Sequence, residues 1–207
     1  MQSRARYQSW SLVLLVAVGL AYFLYRTWNH RDITWHWQDE ALLADNSRIW
    51  VARTEVREVL SGGEPFSGPL RTTKLATLEL PGSAQSVVWS GRMEPLIVER
   101  GEQPVQWVLI ATPIWCDEYR QFGSPVPPYV EFEFINGSWK ARSVEKRWYG
   151  RESNLLLNEI ARAKRTGGKV TSEEISTWNA QVFTDLRAIQ PGAKLNCESE
   201  RGYRSRK

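Results

Sequence analysis

Cys116 stands in the run Trp115-Cys116-Asp117-Glu118-Tyr119, a thiol beside two carboxylates. A nucleophilic cysteine needs a base within reach and a lowered pKa, because the thiolate is the attacking species. The two histidines of the chain, His30 and His36, lie towards its N-terminal end, and the adjacent carboxylates oppose a second negative charge. A structural role suits this thiol better. In an oxidising compartment Cys116 can pair with Cys197, closing a loop of about 80 residues worth about 4 kcal/mol in the chain-entropy model.

Carboxylates offer a second chemistry. Glu131 and Glu133 alternate with Val130, Phe132 and Phe134 and so share one strand face, with Asp117 and Glu118 earlier in the chain. Paired carboxylates can hydrolyse a glycosidic bond when they stand about 5–9 Å apart. Alternation alone accounts for Glu131 and Glu133 as a solvated sheet face, which is the reading we expect. Two His and two Cys without close ligand spacing fit no common zinc or iron pattern, and no calcium-loop sequence occurs. Gly62-Gly63 lacks the Lys-Ser/Thr and the helix of a phosphate loop. Asn136-Gly137-Ser138 matches a glycosylation sequon, but its turn chemistry explains it. We therefore expect no catalytic residue, no metal and no cofactor.

Tryptophan is the compositional anomaly, with 11 in 207 residues. Trp10 and Trp28 flank an apolar run. Trp35, Trp37, Trp89, Trp107, Trp115, Trp139, Trp148 and Trp178 are expected to fill the core, where aromatic side chains bury large areas. Trp50 lies opposite Ile49 and Val51 in the alternation. It is the candidate partner surface, since exposed Trp stacks on sugars or anchors protein partners.

The run Trp10–Tyr25 holds 16 residues without a charge. About 20 apolar residues cross a bilayer, and Tyr7 and Trp28 extend the stretch with rings suited to the interfaces. Trp10 and Trp28 are 18 positions apart, about 27 Å of helix. A cleaved signal peptide needs a small-x-small site after the run. Here Ala17, Gly19 and Ala21 lie inside it, and Tyr22-Phe23-Leu24-Tyr25 follows. We expect a retained anchor over 10–28 with a basic segment, 1–9, carrying Arg4 and Arg6. The charge bias favours an N-in, C-out orientation, which in a Gram-negative host leaves the domain in the periplasm, anchored to inner-membrane lipid.

The pI of about 9.2 belongs to the ends. Arg4, Arg6, Arg26, Arg201, Arg204, Arg206 and Lys207 account for seven of 27 basic residues, leaving 20 against 23 acids between Asp32 and Glu200. The domain is slightly acidic, with no clustered basic face for nucleic acid.

From Ile33 the chain reads as strands. Ile33–Trp37 alternates, Asp45-Asn46-Ser47 is a turn signal, and Ile49–Val59 is a long β-branched stretch. Thr73–Leu80, Ala84–Ser90, Pro95–Glu99 and Val105–Thr112 follow, divided by Pro81-Gly82, Gly91 and Gly101. Tyr129–Ile135, Asn136-Gly137 and Ser138–Val144 form a hairpin. After Gly150 the pattern becomes helical. Leu155, Leu156, Ile160 and Ala163 fit one helix face, and Thr171 with Glu174 opens a second helix carrying Ile175, Trp178, Val182 and Leu186. These readings predict an α+β chain: an N-terminal transmembrane helix, a mainly antiparallel β domain over 33–150, a helical element with two helices over 153–190, and a polar tail over 193–207.

The segment Ile49-Trp50-Val51-Ala52-Arg53-Thr54-Glu55 after Trp37-x-x-Glu40 resembles uncharacterised membrane-anchored bacterial proteins. Tyr119-x-x-x-Gly123-x-Pro125-x-Pro127-Pro128-Tyr129-Val130 is similar to a second segment of that family, and Ser153-Asn154-Leu155-Leu156-Leu157 to a third. The resemblance covers about residues 35–157 and implies a single-pass anchor with an exported β-rich domain, without an assigned activity or site. The function expected is a non-enzymatic envelope protein that binds or scaffolds a protein or glycan partner. The rival is an envelope enzyme acting on cell-wall glycan through Asp117, Glu118, Glu131 and Glu133. A third reading makes the C-terminal helices a docking element that can be deleted without unfolding the sheet.

Overall fold

The structure, a computed structural model, describes residues 16–22, 30–60, 70–82, 86–102, 105–157, 168–181 and 184–197. The chain divides into two compact units, 1–33 with 56–73, and 34–55 with 74–207. In the first, residues 16–22 form helix α1, with Val16, Val18, Leu20 and Tyr22 exposed. Residues 10–15 and 23–28 of the expected anchor lie outside the described residues. Among the described residues no helix is long and apolar enough to cross a membrane.

The fold is α+β, with mainly antiparallel sheets. β1 (His30–Leu42), β2 (Arg48–Leu60), β3 (Leu70–Leu80) and β4 (Val87–Gly91) make one sheet, joined by a two-residue β9 (Lys169–Val170) in the order β4-β3-β2-β1-β9. β5 (Glu94–Arg100), β6 (Val105–Thr112), β7 (Val130–Ile135) and β8 (Ser138–Ser143) make the second, in sequence order. Among the described residues of the larger unit the helices are α2 (Cys116–Gln121), α3 (Ser172–Asn179) and α4 (Thr184–Arg187), with a 3-10 turn at Lys146–Trp148.

Period-two alternation builds the main core of that unit. Ala41, Leu43, Ile49, Val51, Leu78, Leu80 and Trp89 from the first sheet meet Val98, Trp107, Leu109, Ala111, Val130 and Phe132 from the second. Trp89 packs edge-on against Phe132, with ring centroids 5.5 Å apart. A Cβ at Gly91 would stand 2.7 Å from the Trp89 ring, so glycine leaves that ring its place. The β7–β8 hairpin turns at Asn136 and Gly137, with φ of 50° and 80°. Positive φ at both central residues matches the right-handed twist of the flanking strands.

β5 is buried on both faces except at Arg100. One face enters the main core. The other meets a second cluster, in which Leu96, Ile97, Val108 and Ile110 pack with Tyr129, Val144, Trp148, Leu157 and Ile189. The chain after β8 therefore lies over the outside of the second sheet.

The C-terminal part of the chain departs from expectation in four ways. The predicted helix over Leu155–Ala163 does not begin where expected: Ser153–Leu157 has no helical turn, and residues 158–167 lie outside the described set. The reason is packing. Leu155 enters the main core, Leu157 the second cluster, and Leu156 a third with Trp37, Val170 and Ile175. Consecutive side chains of extended backbone point to opposite sides, so one short segment can serve separate cores. The second predicted helix does start at the Thr171 capping box, but its described helical parts are Ser172–Asn179 and Thr184–Arg187, with a turn at 180–181. The tail expected from 193 is also held at its start, where Leu195 is buried and Cys197 is bonded. The C-terminal helices are not a separable appendage either, because Ile175 of α3 and Ile189, just beyond α4, are core residues.

Candidate functional site

The β alternation that sends Ile49 and Val51 inward also sends Arg53 and Glu55 inward, and both are buried. On β1 the same rule buries Trp37 and Asp39. Arg53 Nη1 lies 2.9 Å from Asp39 Oδ2 and donates to the Leu156 carbonyl at 2.8 Å, with Glu94 Oε1 3.8 Å from Nη2. Asp39 also accepts from Trp37 Nε1 at 2.8 Å and from the Leu156 amide at 3.2 Å. The guanidinium carbon stands 4.8 Å from the Trp37 ring centroid. Every partner here belongs to the fold. The arrangement pins Leu156 between the strands and holds a buried charge in place.

Asn154 and Asn179 complete that anchoring. Asn154 pairs with both backbone groups of Val98 and reaches the Leu42 carbonyl. Asn179 accepts from the Leu157 amide and donates to the Leu155 and Ser153 carbonyls. Side-chain amides thus replace the ladder that Ser153–Leu157 does not have.

Glu131 and Glu133 do share one face of β7, but Glu131 does not meet solvent. It is 0% exposed and belongs to an ion network, which corrects the expected solvated face. Arg142 Nη2 lies 2.7 Å and Arg147 Nη2 3.1 Å from Oε1, while Oε2 accepts from the Glu145 amide at 3.1 Å. Arg142 also reaches Glu133 at 2.8 Å. Burial disfavours the charged form, yet bonds from Arg142, the Glu145 amide and Arg147 outweigh it and hold the Glu131 carboxyl below its usual range. A carboxylate with both oxygens committed to cations and amide is poorly placed to move a proton to a substrate.

Asp117 and Glu118 lie on α2. Glu118 is 3% exposed, and neither oxygen accepts a hydrogen bond among the described residues. Arg92, in the β4–β5 connection, brings Nε to 2.9 Å from Glu118 Oε1 as an ion contact and Nη1 to 3.1 Å from Asp117 Oδ2. Burial pushes the Glu118 carboxyl up to about 7, and Asp117 adds to the rise. α2 begins at Cys116, whose sulfur is bonded to Cys197. Arg120 donates to the Cys197 carbonyl at 3.2 Å.

The outer face of the first sheet carries Trp50, 39% exposed, with Lys169 Nζ 5.0 Å from its ring centroid. Beside it, Arg48 joins Glu40 at 3.2 Å and Glu173 at 2.8 Å. Among the tryptophans expected in the core, Trp37, Trp89, Trp107 and Trp148 are buried, and Trp35, Trp115, Trp139 and Trp178 half-buried. Trp10 and Trp28 lie outside the described residues. A shallow recess of about 200 Å³ opens between α2 and the edge strand β8, lined by Phe122, Pro125, Val130, Ala141, Arg142 and Ser143. No group of three or more His, Cys, Asp or Glu able to hold a metal occurs among the described residues.

Sequence reading overlooked Asp39, Arg53, Arg142 and Arg147. For Arg53 a signal existed, since it falls on the inward parity of β2. For Arg142 the Asn136-Gly137 turn was a signal, since its register sets Arg142 opposite Glu131; for Arg147, beyond the hairpin, there was none. Comparison with protein families, with curated proteins and with solved structures finds no match for the chain.

Proposed function

We propose that this chain is a single-pass envelope protein. In this reading its 10–28 segment lies in the inner membrane and its β-rich domain binds or scaffolds a partner on the oxidising, periplasmic side. The observation that carries the reading is the Cys116–Cys197 bond in a chain with 16 uncharged residues near its start. Disulfides persist in oxidising compartments, and an uncleaved apolar run would hold the domain beside the membrane there. A binding role, as against catalysis, is supported by the internal commitment of Glu131 and by the exposure of Trp50.

Two measurements test the proposal. Alkaline extraction should leave the full-length chain in the membrane, and protease added to spheroplasts should digest the domain. Recovery of a shortened chain in the soluble fraction would overturn the anchor. A photo-crosslinking residue in place of Trp50 should give a discrete adduct in cells, while one in place of Val126, also exposed, should not. Equal or absent adducts at the two positions would remove Trp50 as the partner surface.

A further inference from the structure

Among the described residues Glu118 is the buried carboxylate left without a hydrogen bond on either oxygen, on a helix tied down from both sides. The charged groups acting on it are Asp117, its neighbour on α2, and Arg92 from the β4–β5 connection. Arg120 points instead to the Cys197 carbonyl. Two carboxylates therefore face one guanidinium, and that guanidinium is half exposed, so water weakens its pull. A protonated Glu118 satisfies this geometry, because its O–H can be given to the Asp117 carboxylate. An ionised Glu118 leaves a buried charge whose cationic contact, Arg92, is half exposed and shared with a second negative charge.

We infer that Asp117 and Glu118 hold one proton between them when α2 is docked, and that loss of this proton releases the helix. Phe122, at the end of α2, and Pro125 form one wall of the recess beside β8. The proton thus controls the shape of that recess, and the disulfide keeps the released helix tethered to the C-terminal segment. The inference does not depend on the membrane or partner reading above.

The sign follows from linkage. Docked, Glu118 titrates at about 7; released, it returns to its ordinary value of 4.5. Release gives off a proton between those two values, so the opening constant rises about tenfold for each pH unit in that window and levels off above it.

Hydrogen exchange on the full chain in detergent, with the disulfide intact, tests this. After correction for intrinsic exchange, protection over 116–122 should fall about tenfold per unit from about pH 5 to about pH 7, then level. Glu118→Gln should keep it flat, and Asp117→Asn should bring the plateau to lower pH. A flat profile in the natural chain, the same slope in Glu118→Gln, or a parallel loss of protection in β6 would overturn the inference. Because the natural chain alone gives a decisive profile, the test survives a variant that fails to fold.

Discussion

Arg53 and Asp39 meet across the β1–β2 hairpin with Nη1 and Oδ2 2.9 Å apart, their side chains 2% and 0% exposed to solvent. A pair this deep is held by its neighbours as much as by itself. The Leu156 carbonyl takes one donor of Arg53, and the Leu156 amide and the Trp37 indole give theirs to Asp39. The β1–β2 hairpin is thereby tied to a segment more than a hundred residues away.

Removing either partner leaves the other charge buried and unpaired. Arg53→Ala or Asp39→Ala should cost about 3–5 kcal/mol in denaturant unfolding, and an apolar replacement of both, Arg53→Met with Asp39→Leu, distinctly less than the sum. Near-zero cost in the single variants would show that the pair is not closed in solution.

Asn179 serves three backbone groups of the segment Ser153–Leu157. Asn179→Ala orphans buried donors and acceptors, so it should destabilise the domain by about 1–3 kcal/mol. Exchange of the Leu157 amide, monitored by NMR, should quicken while that of β6 amides tracks only the global change.

Cys116 and Cys197 are separated by 81 positions. Replacing both with Ser should lower stability by about 4 kcal/mol if the bond acts by restricting the unfolded chain. Limited proteolysis should then cut near Leu195, which the bond holds in place. An unchanged unfolding midpoint would mean that the C-terminal segment is retained by packing alone.

Glu131 has its carboxyl held below the ordinary 4.5. Folded binding of fewer protons means that its contribution is present above about pH 4.5 and is lost as pH falls through its lowered folded value. Glu118 works in the opposite sense, its contribution being lost as pH rises from 4.5 to about 7. Thermal melting against pH should therefore lose its acid limb in Glu131→Gln and its decline towards neutrality in Glu118→Gln. Identical pH profiles for the two variants would contradict the opposite environments of these carboxylates.

Local rules carried much of the fold. The strand alternation, the Asn136-Gly137 turn and the Thr171–Glu174 capping box each act over a few residues, and all three are present as read. The same rule put Trp50 on the face away from Ile49 and Val51, where it is exposed. Two features depended on distant partners. Leu155 and Leu156 match a helix face with Ile160 and Ala163 as a string of letters, but separate cores and the amide of Asn179 hold Leu155–Leu157 without a helical turn. Glu131 matches a solvated position until Arg142, its cross-strand neighbour on β8, and Arg147 from the chain after β8 close upon it.

Periodicity, turn chemistry and caps are encoded by neighbours along the chain, so the sequence by itself determined the strands, the hairpin and the start of α3. Which charges are buried and whether the two sulfurs meet depend on desolvation and on groups tens of residues apart. Those were decided only when the two sheets and the C-terminal segment closed on one another.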